Sequence, residues 1–145
     1  MKIAIAADHG GFSLKQELIP WLKEKGLEVI DCGTSSEDSC DYPDYAKKGC
    51  EEVLSGNADF AVLCCGTGVG ISIAANKLHG IRCGLCPSPE IAALVKQHNN
   101  ANAIALGGRF TEPAKAKEIL EAYMNAEFMG GRHQTRVDKI TALEG

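Results

Sequence analysis

Two rhythms of apolar and polar residues run along the chain. Near-continuous apolar runs at Lys2 to Ala7, Leu27 to Cys32, Asp59 to Cys64, Ile81 to Cys86 and Ala103 to Leu106 are separated by longer amphipathic stretches. Apolar runs of about four to eight residues, bounded by turn signals, predict buried strands. Between the first two, Phe12, Leu14, Leu18, Trp21 and Leu22 recur near helical spacing with charges among them, so Phe12 to Lys25 predicts a helix that Gly26 stops. Further helices are predicted over Tyr45 to Ser55, closed by Gly56, and over Ile71 to Lys77. Pro89 to His98, with Ser88 as cap, and Thr111 to Asn125, with Pro113 in its first turn, follow the same rule. The tail from Arg132 to Glu144 reads as one more helix. Strand and helix in alternation predict an α/β domain whose parallel sheet is covered on both faces. No linker, repeat or low-complexity tract breaks the alternation, so residues 1–145 are expected to form a single domain.

In such sheets ligands sit outside the carboxyl ends of the strands. Three stretches fall there: Asp8-His9-Gly10-Gly11, Cys65-Gly66-Thr67-Gly68-Val69-Gly70, and Gly107-Gly108-Arg109. Composition narrows what they bind. A net charge of −4 and 6% aromatic residues argue against a nucleic-acid surface, though not against one small anion pocket. No apolar stretch approaches a membrane span, and the start of the chain meets Asp8 and His9 too soon for a signal peptide. A cytoplasmic location is therefore expected. Seven cysteines is an odd number without a disulfide framework, which suits small buried hydrophobes with one or two candidates for chemistry.

The glycine-rich stretch after the third strand is the most informative. Alternating glycines let backbone N–H groups converge beside a helix N-terminus, which favours an anion or a developing oxyanion. A Walker lysine is missing, and Ile71 stands both where a dinucleotide fingerprint needs its third glycine and where a cysteine phosphatase needs its arginine. A plain strand-to-helix turn would share this composition. Cys64 ends the apolar run and reads as packing. Cys65 opens the turn, where the helix N-terminus favours a thiolate able to act as nucleophile or base. His98 closes a predicted helix, and Asp8 and His9 follow the first strand directly. Arg132 and Arg136 lie four apart on one helix face, with His133 beside them, which suits a phosphate dianion or a solvated basic face. Cys83 and Cys86 form a C-x-x-C inside a predicted strand, where positions three apart face opposite sides, so neither a redox pair nor a metal site is expected.

Taken together, Ile5 to Gly11, Asp41-Tyr42-Pro43, Cys65 to Lys77, Gly80-Ile81-Arg82, Gln97-His98-Asn99 and Gly130 to Val137 closely resemble the ribose/galactose isomerase family over nearly the whole chain. The resemblance implies a Rossmann-like α/β/α fold with five parallel strands. It implies interconversion of an aldose phosphate and its ketose phosphate, here D-ribose 5-phosphate and D-ribulose 5-phosphate, with no metal and no cofactor. By motif, Cys65 matches the base that moves a proton between carbons 1 and 2. Thr67 and the backbone of Gly66, Gly68, Val69 and Gly70 match the stretch that holds the enediolate oxygens. His98 matches the group that opens the furanose ring, assisted by Asp8 and Asn99. Arg132 and Arg136 match the phosphate grip, and His9, Tyr42 and Arg109 match further binding positions. The family also implies a homodimer or dimer of dimers with sites at the interface, His98, Asn99 and Arg109 coming from the subunit opposite Cys65. Some members carry serine with a glutamate four positions on; here Val69 stands there and Cys65 is present. Asn100 stands where an aspartate is frequent. A six-carbon sugar phosphate and a non-catalytic sugar-phosphate module remain the alternatives, the second leaving the thiol and histidine without use.

Overall fold

The computed structural model describes residues 1–145. Strands β1 (Lys2–Ala7), β2 (Glu28–Asp31), β3 (Phe60–Cys65), β4 (Cys83–Leu85) and β5 (Ala103–Gly107) form one parallel sheet in the order β2-β1-β3-β5-β4. Helices α1 (Phe12–Glu24), α2 (Tyr42–Leu54), α3 (Val69–Ala75), α4 (Pro89–Asn99) and α5 (Pro113–Asn125) connect and follow them, and α6 (Arg132–Ala142) forms the tail.

Alternation along the strands sorts the core into two layers. Ile3, Ile5, Val62, Cys64, Ile104 and Leu106 pack under α1, α4 and α5, against Leu14, Leu18, Ala92, Ile119 and Leu120. The opposite face is lined by Ala4, Ala6, Ala61, Ala103 and Ala105, small residues on which α2 and α3 rest through Ala46, Cys50, Ile71 and Ala75. Gly49 brings α2 closer still: a Cβ there would stand 2.9 Å from Leu63. The helices that leave β1 and β3 pack on opposite faces. They open a crevice between the carboxyl ends of those adjacent strands, the switch point where α/β sheets bind ligands. No helix is long and apolar enough to cross a membrane.

Several boundaries differ from expectation. The α2 helix starts at Tyr42, three residues early, because Asp41 is extended and Pro43 fits the first turn. Strand β3 continues through Cys65, which pairs with Gly107 of β5. The α3 helix starts at Val69, directly after left-handed Gly68, and α5 starts at Pro113. Edge strand β4 keeps only Cys83–Leu85; Ile81 and Cys86 are buried beyond its ends.

Candidate active site

The crevice is built from the ends of three strands. After β1, Asp8 Oδ1 accepts the N–H groups of Gly10 at 2.9 Å and Gly11 at 3.1 Å, which holds the turn into α1. His9 Nδ1 accepts the Cys40 N–H at 3.3 Å, so the proton of the neutral ring sits on Nε2 as a donor. After β3, the Gly68 N–H donates to Cys65 Sγ at 3.1 Å and the Val69 N–H to Thr67 Oγ1 at 3.1 Å. A donor aimed at the sulfur stabilises negative charge there. Gly68 has φ 80, and a Cβ on it would press on the Leu106 carbonyl carbon at 2.9 Å and Gly107 N at 3.0 Å, so no other residue makes this turn without strain. Cys65 is 4% exposed, tucked under its own turn.

After β5, Gly108 N–H binds Cys65 O at 2.7 Å and Arg109 N–H binds Gly66 O at 3.0 Å. The Arg109 guanidinium lies 2.9 Å from where a Gly66 Cβ would stand and 3.4 Å from that of Gly10. Arg109 therefore belongs beside Cys65 of its own chain, which corrects the expectation that it reaches in from the opposite subunit; the register of β3 against β5 sets this. From α2, the Tyr42 ring lies 2.7 Å from a Cβ placed on Gly70. Asp8, His9, Tyr42, Cys65 to Gly70 and Arg109 thus share one crevice. Within it the Gly68 and Val69 amides already have partners, whereas those of Gly66 and Thr67 donate to nothing in the chain.

The other sequence-predicted residues lie elsewhere. His98 and Asn99 end α4, and Arg82, immediately before β4, donates from Nε to Asn99 O at 3.0 Å and from Nη2 to Asn100 O at 2.8 Å. That places them at the amino end of the sheet, a strand length or about 15 Å from the crevice of the same chain. His98 stacks on His133 of α6, ring centroids 4.3 Å apart and planes 8° apart. Arg132 and Arg136 flank that stack, both exposed and neither in an ion pair. A cavity of about 550 Å³ opens on this side, lined among others by His79, Arg82, Asn99 and Leu143.

Burial holds five other thiols protonated: it raises Cys50 and Cys83, and pushes Cys64 and Cys86 up to about 12 and Cys32 to about 11. Cys83 and Cys86 pack into opposite layers, so they make no pair. All seven cysteines are free.

With this geometry in view, the family model described as Ribose/Galactose Isomerase matches residues 3–140. The chain belongs to the ribose/galactose isomerase family. Ribose-5-phosphate isomerase B of Escherichia coli (strain K12) is 50% identical over 143 residues, covering 99% of this chain and 96% of that protein. The solved structure of ribose-5-phosphate isomerase B from Clostridium thermocellum matches this family member with TM-score 0.98 and 49% identity, covering 99% of this chain and 97% of that one. The enzyme of the same name from Mycoplasma genitalium, solved with bound ribulose 5-phosphate, matches with TM-score 0.93 and 41% identity, covering 99% and 95%.

Sequence reasoning missed three supporting groups. Lys15 is fully buried, its Nζ 2.8 Å from Asp31 Oδ1. The same oxygen accepts the Gly33 N–H at 3.0 Å, and Gly33 and Thr34 bond to Ala7. This fastens the start of the loop that brings the Cys40 amide to His9. The available signal was a lysine on the same helical stripe as Leu18 and Leu22. The Cys40 amide left no signal, since a backbone N–H has no letter of its own. His133 stood in view beside the arginines, but its burial depends on how α6 meets α4.

Proposed function

We propose that the chain, residues 1–145 acting as one domain, interconverts D-ribose 5-phosphate and D-ribulose 5-phosphate in a homodimer whose sites combine both copies. The observation that carries this is the Cys65 sulfur, met by the Gly68 amide and set beside unoccupied N–H groups at the sheet's switch point. The second copy supplies His98, Asn99, Arg132 and Arg136, because one chain holds them at the far end of its sheet. Membership of the family and the names of the relatives favour the five-carbon substrate over a six-carbon one. Seven free thiols suit the cytoplasm.

Protonated His98 delivers its proton to the ring oxygen as the bond from carbon 1 to that oxygen breaks. The carbon 1 hydroxyl proton leaves to the Asp8 carboxylate, and an aldehyde remains, with Asn99 holding the sugar. The Cys65 thiolate then takes the proton of carbon 2. Those electrons form the double bond between carbons 1 and 2 while the carbonyl pair moves to oxygen 1. The Gly66 and Thr67 amides are aimed at that developing charge before it appears, and one such donor is typically worth about 3 kcal/mol of barrier. The hydroxyl proton of carbon 2 passes to oxygen 1, with Thr67 Oγ1 beside both. The oxygen 2 pair re-forms a carbonyl, and the Cys65 thiol returns its proton to carbon 1. His9 Nε2, Arg109 and the paired arginines hold the phosphate, and this remote grip positions the reacting carbons. These steps use no metal.

The test is solvent exchange. In heavy water the wild-type protein should place deuterium on carbon 1 of ribulose 5-phosphate, and Cys65→Ala should lose both exchange and turnover while still binding the sugar. Retained exchange in that variant removes the thiol from its role. A higher kcat/KM for allose 6-phosphate or galactose 6-phosphate than for ribose 5-phosphate would transfer the assignment to a six-carbon substrate.

A further inference from the structure

His133 is the one buried side chain whose polar atom lacks a partner: the residue is 6% exposed and its Nε2 bonds to nothing. Its position is built with care. Met129 N–H donates to Gln97 O at 3.0 Å, which ties the chain before α6 to the last turn of α4. Gly130 and Gly131 then turn with φ 67 and φ 55, and the His133 N–H closes on Gly130 O at 3.0 Å. A Cβ on either glycine would meet nothing, so the glycines serve the backbone turn and not packing. The result lays His133 flat beneath His98, 4.3 Å away and 8° from parallel.

We propose that His133 is a positioning residue for His98: its neutral ring fixes the plane in which His98 exchanges a proton with the sugar and offers a flat face to the His98 cation. The inference rests on His98 as the ring-opening group. Two imidazolium rings in this stack would repel, so the pair favours one proton at a time. Burial first, then the positive charges of His98, Arg132 and Arg136, holds His133 below the usual histidine range, so its ring is the neutral partner in the stack. The other charged groups nearby are engaged elsewhere: Lys96 of α4 lies over Tyr123, Arg82 binds the Asn99 and Asn100 carbonyls, and Asp138 of α6 accepts from Gln134.

Ribulose 5-phosphate has no furanose ring to open, so the two halves of the reaction can be read apart. His133→Ala should lower kcat on ribose 5-phosphate about tenfold or more with KM little changed, while deuterium exchange on ribulose 5-phosphate persists. His133→Phe, which keeps the flat face, should restore kcat to within about threefold of wild type. The His98 imidazole resonances, followed across pH, should move in the alanine variant and hold their place in the phenylalanine one. Wild-type kcat with unmoved His98 resonances in His133→Ala overturns the proposal. So does an equal rise of KM in both variants at unchanged kcat, which would make His133 a direct substrate ligand. His98→Asn decides the underlying reading separately: wild-type turnover of ribose 5-phosphate there means that His98 opens no ring, whatever the stack does.

Discussion

Lys15 lies on the core stripe of α1, with its charge answered by Asp31 at 2.8 Å. Its side chain is 1% exposed and that of Asp31 49%, and this asymmetry decides what mutation does. Asp31→Ala leaves a buried ammonium with only the Gln16 amide oxygen at 3.2 Å and the Phe12 ring at 5.4 Å. It should cost about 3 kcal/mol or more in urea unfolding. Lys15→Met leaves a carboxylate that water reaches and the Gly33 amide still serves, so roughly 1 kcal/mol is expected. Equal losses would mean that the pair is not the reason Lys15 is tolerated in the core. The residue scale was only partly readable beforehand. Cys65, Asp8 and His9 declared themselves because a polar group directly after an apolar run must stand at a strand end. Lys15 did not, since a lysine's letter says nothing about whether its partner arrives from sixteen residues away.

Among the elements, the turn from β3 into α3 carries the most consequence. Gly68 must take φ 80 with the backbone of β5 against it, and its amide must reach Cys65 Sγ. Gly68→Ala should therefore lower stability by about 2 kcal/mol through the left-handed backbone and crowding, and should cut kcat more than KM. Urea titration and steady-state kinetics on one preparation would check both. An alanine variant of wild-type kcat would show that the sulfur needs no help from this turn. Element order was plain from the apolar rhythm, because a buried parallel strand has no polar face to disguise it. Element ends were less plain. Asp41-Tyr42-Pro43 carries turn residues that also make a good first turn, and only the packing of Tyr42 against Gly70 shows the helix beginning there.

At the scale of the whole molecule, the proposed site residues fall into two groups, one at each end of the sheet. The crevice holds Cys65 and the free Gly66 and Thr67 amides, the proposed base and its donors; the end of α4 and the start of α6 hold His98, the proposed acid, and the two unpaired arginines. In the proposed homodimer two copies would together supply a complete site, and complementation tests it. Cys65→Ala and His98→Ala proteins, each weak alone, should on unfolding and remixing recover roughly a quarter of the wild-type rate, since half of the dimers are mixed and each has one intact site. No recovery, with mixed dimers verified by mass, would sink the shared site. The order of strands and helices, the glycine turn and the kinds of chemical group present all follow from the order of residues, because periodicity, backbone freedom and ionisable side chains are local properties. Which groups meet is not local. Arg109 lies with Cys65 because β5 pairs with β3; His98 lies with His133, a strand's length away, because α4 runs back along the sheet and the tail returns to its end. Those meetings depend on pairing register and helix direction, which span the chain and leave no mark at any one position.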